Sequence, residues 1–269
     1  MLTALISMVL LSVTACLQGV EDMDNVNFNK GNPGAVPAID AAAPAEYETA
    51  TFAEGCFWGV ESRFGAINGV IRTRVGYAGG TTYQPTYHNI GDHTESVQVD
   101  YDPRVVSYRD LLAVFWEGAD PAMPPGLRQY MSLVIYQNEE QRQLAMADSQ
   151  RLEKDLGIEV RVEITPLTAF YIAEDYHQKW NLQNKHEIVA ELRRIYPRAA
   201  DFINSTAATR INGYLGGNGN ANDFNRDIDA FGLSAAATGR LRSLVTPLLG
   251  KPGSGDVCSV PVAGQAEGN

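Results

Sequence analysis

An α+β fold, read as a two-layer sandwich in which a mixed sheet is flanked by helices, is what this sequence predicts. Three observations carry it. Short segments alternate apolar and polar residues as half-buried strands do. Longer segments between them place apolar residues at helical spacing and open on capping side chains. The two kinds follow one another without an internal repeat, over a length of 269 residues that suits one enzyme-sized domain with appendages.

Taken in order, residues 49–53 suit a short strand, and the helix after them puts Phe57, Val60, Phe64 and Ile67 on one face. Ile71, Thr73, Val75 and Tyr77 share one face of a strand over 70–77, and Val97, Val99 and Tyr101 do so over 96–101. Ser107 and Asp110 form a capping box ahead of Leu111, Leu112, Phe115 and Trp116, and Gly118 ends that helix. A strand is expected over 129–136. Asn138 then caps a long helix closed by Gly157, and Val160, Val162 and Ile164 mark a further strand. The pattern of residues 47–197 is that of a catalytic domain, 198–249 reads as a helical extension with a helix over 234–246, and the Gly/Pro-rich 250–269 as a flexible tail containing Cys258.

The other end has a different composition. Residues 2–13 are an apolar run followed by Thr14, Ala15 and Cys16, which suits a secretion signal over 1–16 and is too short for a membrane span. The stretch VTAC also resembles the cleavage box of bacterial lipoproteins, in which the cysteine is acylated, although the segment lacks Lys and Arg. Export is therefore expected, to a bacterial periplasm or as a lipoprotein anchored through Cys16. Residues 17–46, rich in Ala, Pro, Asn, Gly and Asp, read as a disordered tether. A net charge of −11 argues against nucleic acid or an anionic membrane surface as partner. Three widely separated cysteines make neither a disulfide framework nor a zinc site, and no pair of the four histidines has ligand spacing, so no metal is expected.

The chemistry centres on residues 54–61, EGCFWGVE. Cys56 falls where the predicted strand turns into a helix. Unpaired N–H groups and the helix dipole favour an anion there, so a thiolate is stabilised and Cys56 becomes a candidate nucleophile. Gly55 allows the sharp turn, and Phe57 and Trp58 offer an apolar wall. The bland alternative is a buried structural cysteine with two core aromatics. Glu95, behind the polar GDHT turn, is a candidate acid whose pKa desolvation would raise, against the alternative of a solvated strand-end glutamate.

GCFWG with Glu61 and Phe64, then GYAGG at 76–80, PTY at 85–87, GDHTE at 91–95, VDYDP at 99–103, SYRDLL at 107–112, QYMS at 129–132 and AEDYHQKW at 173–180 together resemble the A-type peptide-methionine sulfoxide reductases, over about residues 47–197. The resemblance implies a two-layer α+β fold and reduction of the S epimer of methionine sulfoxide, free or in proteins, as repair of oxidised proteins. It implies that Cys56 attacks sulfur and is left as a sulfenic acid, that Glu95 donates a proton, that Tyr87 and Tyr130 hydrogen-bond the sulfoxide oxygen, and that Phe57 and Trp58 enclose the methyl group. No bound cofactor is implied. Turnover needs an external thiol reductant, thioredoxin-like or a dithiol.

Two positions depart from the family's pattern. Pro125 stands where many members have an aspartate, and Leu215, in GYLGG, where many have a recycling cysteine. Cys258 is then the candidate resolving cysteine, on a tail long enough to reach. Glu174, Tyr176 and His177 are expected to serve the fold. Two other functions stay open at this point: a Cys/His acyl-transfer hydrolase using Cys56 and His177, and an exported module that binds oxidised methionine without turnover.

Overall fold

The structure, a computed structural model, describes residues 35–124 and 126–249. The expected signal with Cys16, most of the expected tether, Pro125 and the tail with Cys258 lie outside the described residues.

The chain opens with α1 (Ala38–Ala41), β1 (Glu48–Glu54), α2 (Phe57–Gly65), β2 (Val70–Ala78), β3 (Thr94–Tyr101) and α3 (Tyr108–Gly118). A 3-10 turn at Arg128–Tyr130 leads into β4 (Ser132–Tyr136), α4 (Glu139–Leu156), β5 (Glu163–Pro166) and β6 (Phe170–Ile172). After a second 3-10 turn at Asp175–His177 come α5 (Trp180–Gln183), α6 (His186–Ile195), α7 (Ala199–Ile203), α8 (Thr206–Leu215), α9 (Ala221–Asp227) and α10 (Ala235–Val245).

The six strands form one sheet in the order β5-β4-β1-β3-β2-β6, with β4 and β5 parallel and the other neighbours antiparallel. Its central strand β1 buries Phe52 beneath a stack of rings: Phe64 of α2 at 5.0 Å, Phe115 of α3 at 5.4 Å and Tyr108 at 6.0 Å between centroids. One hydrophobic core thus fixes α2 and α3 to the same face, each such ring contributing about 2–3 kcal/mol of burial. The local signals act as the sequence suggests. Ser107 and Asp110 form a complete capping box, Asn138 accepts from the Gln141 N–H at 2.9 Å, and Gly157 closes α4 with φ 66°. No helix among the described residues is long and apolar enough to cross a membrane.

Three expectations are corrected. The strand expected over 129–136 begins at Ser132, and residues 128–130 form a 3-10 turn instead. The strand expected from Val160 begins at Glu163, because the Val160 N–H donates to Glu153 and the Arg161 N–H to the Pro121 carbonyl, which leaves pairing with β4 to start at Glu163 opposite Leu133. Residues 35–46, read as the end of a tether, are built into the fold. Asp40 of α1 accepts from the Ser205 hydroxyl at 3.0 Å and from the Thr206 and Ala207 N–H groups, capping α8 from another part of the chain.

The helical extension packs against the site rather than trailing from it. Its own core includes Phe202, Ile211, Tyr214, Leu215, Phe224, Phe231 and Leu241. Leu215 is therefore a core residue at the end of α8. Where α8 crosses α2 the backbones nearly touch: a Cβ on Gly213 would lie 2.5 Å from the Ala66 nitrogen, and one on Gly65 would lie 2.8 Å from the Thr209 carbonyl oxygen. Gly213→Ala should therefore lower stability by about 1–2 kcal/mol, overpacking outweighing the helix propensity it gains. Gly239→Ala, with nothing within 4 Å of the added methyl, should raise it. Urea unfolding of the two variants checks the opposite signs.

Candidate active site

β1 ends at Glu54, Gly55 turns with φ 83°, and Cys56 occupies the N-cap of α2. The positive φ is why a glycine stands there. Cys56 is half-buried. The next N–H, that of Phe57, belongs to the first turn of the helix and has no partner within it. It donates instead to Glu95 Oε2 at 3.0 Å, so the strand β3 delivers a carboxyl beside the cysteine.

Glu95 is 1% exposed. Its other oxygen accepts from Gln129 Nε2 at 2.7 Å. Burial pushes its pKa up to about 7, the hydrogen bonds from Gln129 and Phe57 opposing the rise. Each oxygen keeps a second lone-pair direction, so a proton on this carboxyl points away from both donors. Tyr130, the residue after Gln129, is hydrogen-bonded to Tyr87, and its pKa is raised by burial, by that bond and by the nearby Glu95, Tyr87 and Cys56. It stays a neutral donor at physiological pH.

Behind these groups lies an aromatic cluster. Trp58 stacks on Trp180 at 3.9 Å with the planes 3° apart, and its indole N–H donates to His177 Nδ1 at 3.2 Å. His177 is surrounded by Phe57 at 5.1 Å, Tyr87 at 4.5 Å and Tyr176 at 4.1 Å. Burial lowers its pKa, Glu174 working against this and His88 adding to it. Its Nε2 is buried without a hydrogen-bond partner among the described residues. Glu174 accepts from the Tyr77 hydroxyl at 2.7 Å and from the Tyr87 N–H at 3.1 Å, fixing the backbone that carries Tyr87.

The back of α2 is anchored by charge. Lys179 and Glu61 are both fully buried, 2.7 Å apart, with the Lys179 ammonium also donating to the Thr73 carbonyl. The Lys179 N–H donates to the other Glu61 oxygen at 2.7 Å. Burial lowers the lysine pKa while Glu61 holds it up. Removing one partner of such a pair typically costs about 3–5 kcal/mol.

Of the residues singled out in the sequence, Cys56, Glu95, Phe57, Trp58, Tyr87 and Tyr130 come together here; Cys258 lies outside the described residues. Gln129, Tyr77 and Trp180 were missed. Gln129 stands in the QYMS motif, but a strand reading would put it and Tyr130 on opposite faces, whereas in the 3-10 turn Gln129 reaches Glu95. No group of three or more His, Cys, Asp or Glu side chains suited to a metal ion occurs among the described residues.

The family model described as peptide methionine sulfoxide reductase matches residues 48–211, reaching into α8. A peptide methionine sulfoxide reductase of Drosophila melanogaster is 43% identical over 188 residues, 69% of this chain and 75% of that one. One from Methanosarcina acetivorans is 46% identical over 145 residues, 49% of this chain and 77% of that one. The solved structure of methionine sulfoxide reductase A of Corynebacterium diphtheriae is 31% identical and covers 58% of this chain and 87% of that chain, with a TM-score of 0.48.

The raised pKa of Glu95 has a thermodynamic consequence. The folded state holds this proton up to about pH 7, whereas an ordinary glutamate releases it near 4.5, so stability is full below 4.5 and falls as pH rises toward 7. Glu95→Gln should remove that fall. Between pH 5 and pH 8 the wild type should lose on the order of 2–3 kcal/mol more than the variant in urea unfolding. Equal losses would show that the carboxyl titrates normally.

Proposed function

This chain belongs to the peptide methionine sulfoxide reductase family, whose reductase activity it carries, and from that premise we propose how its own residues perform the reaction and on which epimer. The Cys56 thiolate attacks the sulfur of an S-epimer methionine sulfoxide, free or in a protein, whose methyl group lies against Phe57 and Trp58. Tyr87 and Tyr130 donate hydrogen bonds to the sulfoxide oxygen. Glu95, protonated below about pH 7, supplies the proton that lets the oxygen leave sulfur. The attack joins the Cys56 sulfur to the substrate sulfur as the protonated oxygen departs as water, and a water then adds to the Cys56 sulfur, breaking the sulfur–sulfur bond and releasing a proton. In sum, a sulfoxide and a thiol become a thioether and a Cys56 sulfenic acid, with the substrate sulfur reduced by two electrons and that of Cys56 oxidised by two.

The observation that carries this reading is the Glu95 carboxyl held between the Phe57 N–H, next to Cys56, and the Gln129 amide, next to Tyr130. That arrangement supports a reading in which nucleophile, acid and oxygen donor act around one point. A Cys/His hydrolase is not favoured, since His177 Nδ1 already accepts the Trp58 indole and its pKa is depressed. The family match likewise favours turnover over a silent binding module. The reading includes export, with acylated Cys16 as membrane attachment, on the strength of the apolar run 2–13 and the small residues before Cys16.

Cys56→Ser should abolish methionine release from the S epimer while the protein stays folded, and Glu95→Gln should lower its rate by about 10²–10⁴. Separate S and R substrates, assayed for methionine, check both claims, and release by a folded Cys56→Ser variant would sink the mechanism.

For recycling, a thiol attacks the sulfenic acid, forming a disulfide and releasing water; Cys258 is the internal candidate and a thioredoxin-like protein or small dithiol the external reductant. One equivalent of sulfoxide without reductant should yield a Cys56 to Cys258 crosslink by mass spectrometry. A trappable sulfenic acid at Cys56 with Cys258 still a thiol would assign the step to the external thiol alone.

A further inference from the structure

We propose that Arg128 is a positioning residue for the reduction: its side chain clamps the 3-10 turn so that Gln129 and Tyr130 reach Glu95 and the sulfoxide oxygen. The proposal rests on the site reading above. The Arg128 guanidinium bonds to three separate segments. Its Nε donates to the Asp92 carbonyl at 3.0 Å, its Nη2 to the Gly79 carbonyl at 2.9 Å, and its Nη1 lies 2.7 Å from both carboxylate oxygens of Glu163. The end of β2, the loop before β3 and the edge strand β5 are thus joined at one planar group. Its own carbonyl accepts the Thr94 hydroxyl at 2.9 Å, and Thr94 precedes Glu95 on β3. The turn and the acid are therefore referenced to the same atoms.

Besides the Thr94 and Gln129 bonds to β3, this guanidinium is the turn's tie to the rest of the sheet. Among the described residues leading into it, Met123 and Leu127 are exposed, the latter at 71%, so their side chains add little burial to fix its approach. Two internal bonds, Tyr130 N–H to the Leu127 carbonyl at 2.9 Å and Met131 N–H to the Arg128 carbonyl at 3.4 Å, shape the turn but do not tie it to the sheet. Glu163 is 41% exposed, so its attraction to Arg128 adds little stability in water. What the arginine supplies is geometry. A planar guanidinium with donors in fixed directions can satisfy three acceptors at once, whereas the single ammonium of a lysine on a flexible stem cannot reproduce that arrangement. The two side chains that follow then point inward, Gln129 to Glu95 Oε1 at 2.7 Å and Tyr130 to Tyr87. Transition-state groups depend steeply on such placement.

The test is a double-mutant cycle read in kcat on methionine sulfoxide. Arg128→Ala should lower kcat about tenfold, and Tyr130→Phe should then cost a clearly smaller factor in the Arg128→Ala background than in the wild type, because the clamp that aims Tyr130 is already gone. Factors that multiply would overturn the proposal, since a residue that serves only folding leaves the effect of Tyr130→Phe unchanged. A kcat for Arg128→Ala within about twofold of the wild type would overturn it as well. If Arg128→Ala does not fold, the same cycle is run on Arg128→Lys, which keeps the charge near Glu163 and gives up the planar fork. A wild-type rate for Tyr130→Phe alone would remove the site reading, and the proposal with it.

Discussion

The carboxyl of Glu95 is the constraint on which the rest of this site depends. It is buried, it takes one hydrogen bond from the helix that Cys56 caps, and it takes another from the turn that carries Tyr130. Three elements far apart in sequence are fastened through one pair of oxygens. Burial makes the charged form expensive, and the two donors reduce that expense without removing it, so the group titrates near neutrality. A single glutamate thereby ties down the helix that Cys56 caps and holds a carboxyl that can carry a proton near neutrality beside it.

Such a group destabilises the fold at higher pH, and the surroundings compensate. α2 is held from behind by the buried Glu61–Lys179 pair, from beneath by Phe64 stacked on Phe52, and from its end by the close crossing of α8. Trp58 is immobilised between Trp180 and His177. Rigid support of this kind keeps the groups around a reacting atom in one arrangement, which is where most of the advantage of a preorganised site arises. The helical extension therefore acts as a buttress of α2, and Asp40 of α1 secures that buttress by capping α8.

The elements with strong local signals were legible in the sequence. The capping box at Ser107, the Asn138 cap, the left-handed Gly157 and the helix opened by Ser234 all rest on interactions within a few residues, so their chemistry is visible in a short window. Cys56 and Glu95 were legible for another reason: glycine turns and motif residues mark where the chain must bend near a reactive group. Elements without a local cause were misread. Residues 129 and 130, read as the start of a strand, lie in a 3-10 turn whose first residue, Arg128, is held by Gly79, Asp92 and Glu163, none of them near in sequence. Residues 35–46 lack large apolar side chains and looked disordered, yet Asp40 finds partners at Ser205 to Ala207.

The amino-acid order alone thus settled the kind of fold and the placement of the cysteine at a helix start, since propensity, capping and turn chemistry act over one or two turns of chain. The network that makes those residues work was settled by folding. Gln129 on Glu95, His177 on the Trp58 indole and Lys179 on Glu61 are contacts across 34, 119 and 118 residues of chain. No local pattern encodes a partner that distant, because which of many possible donors reaches a buried acceptor depends on how the sheet, α2 and α8 close around it.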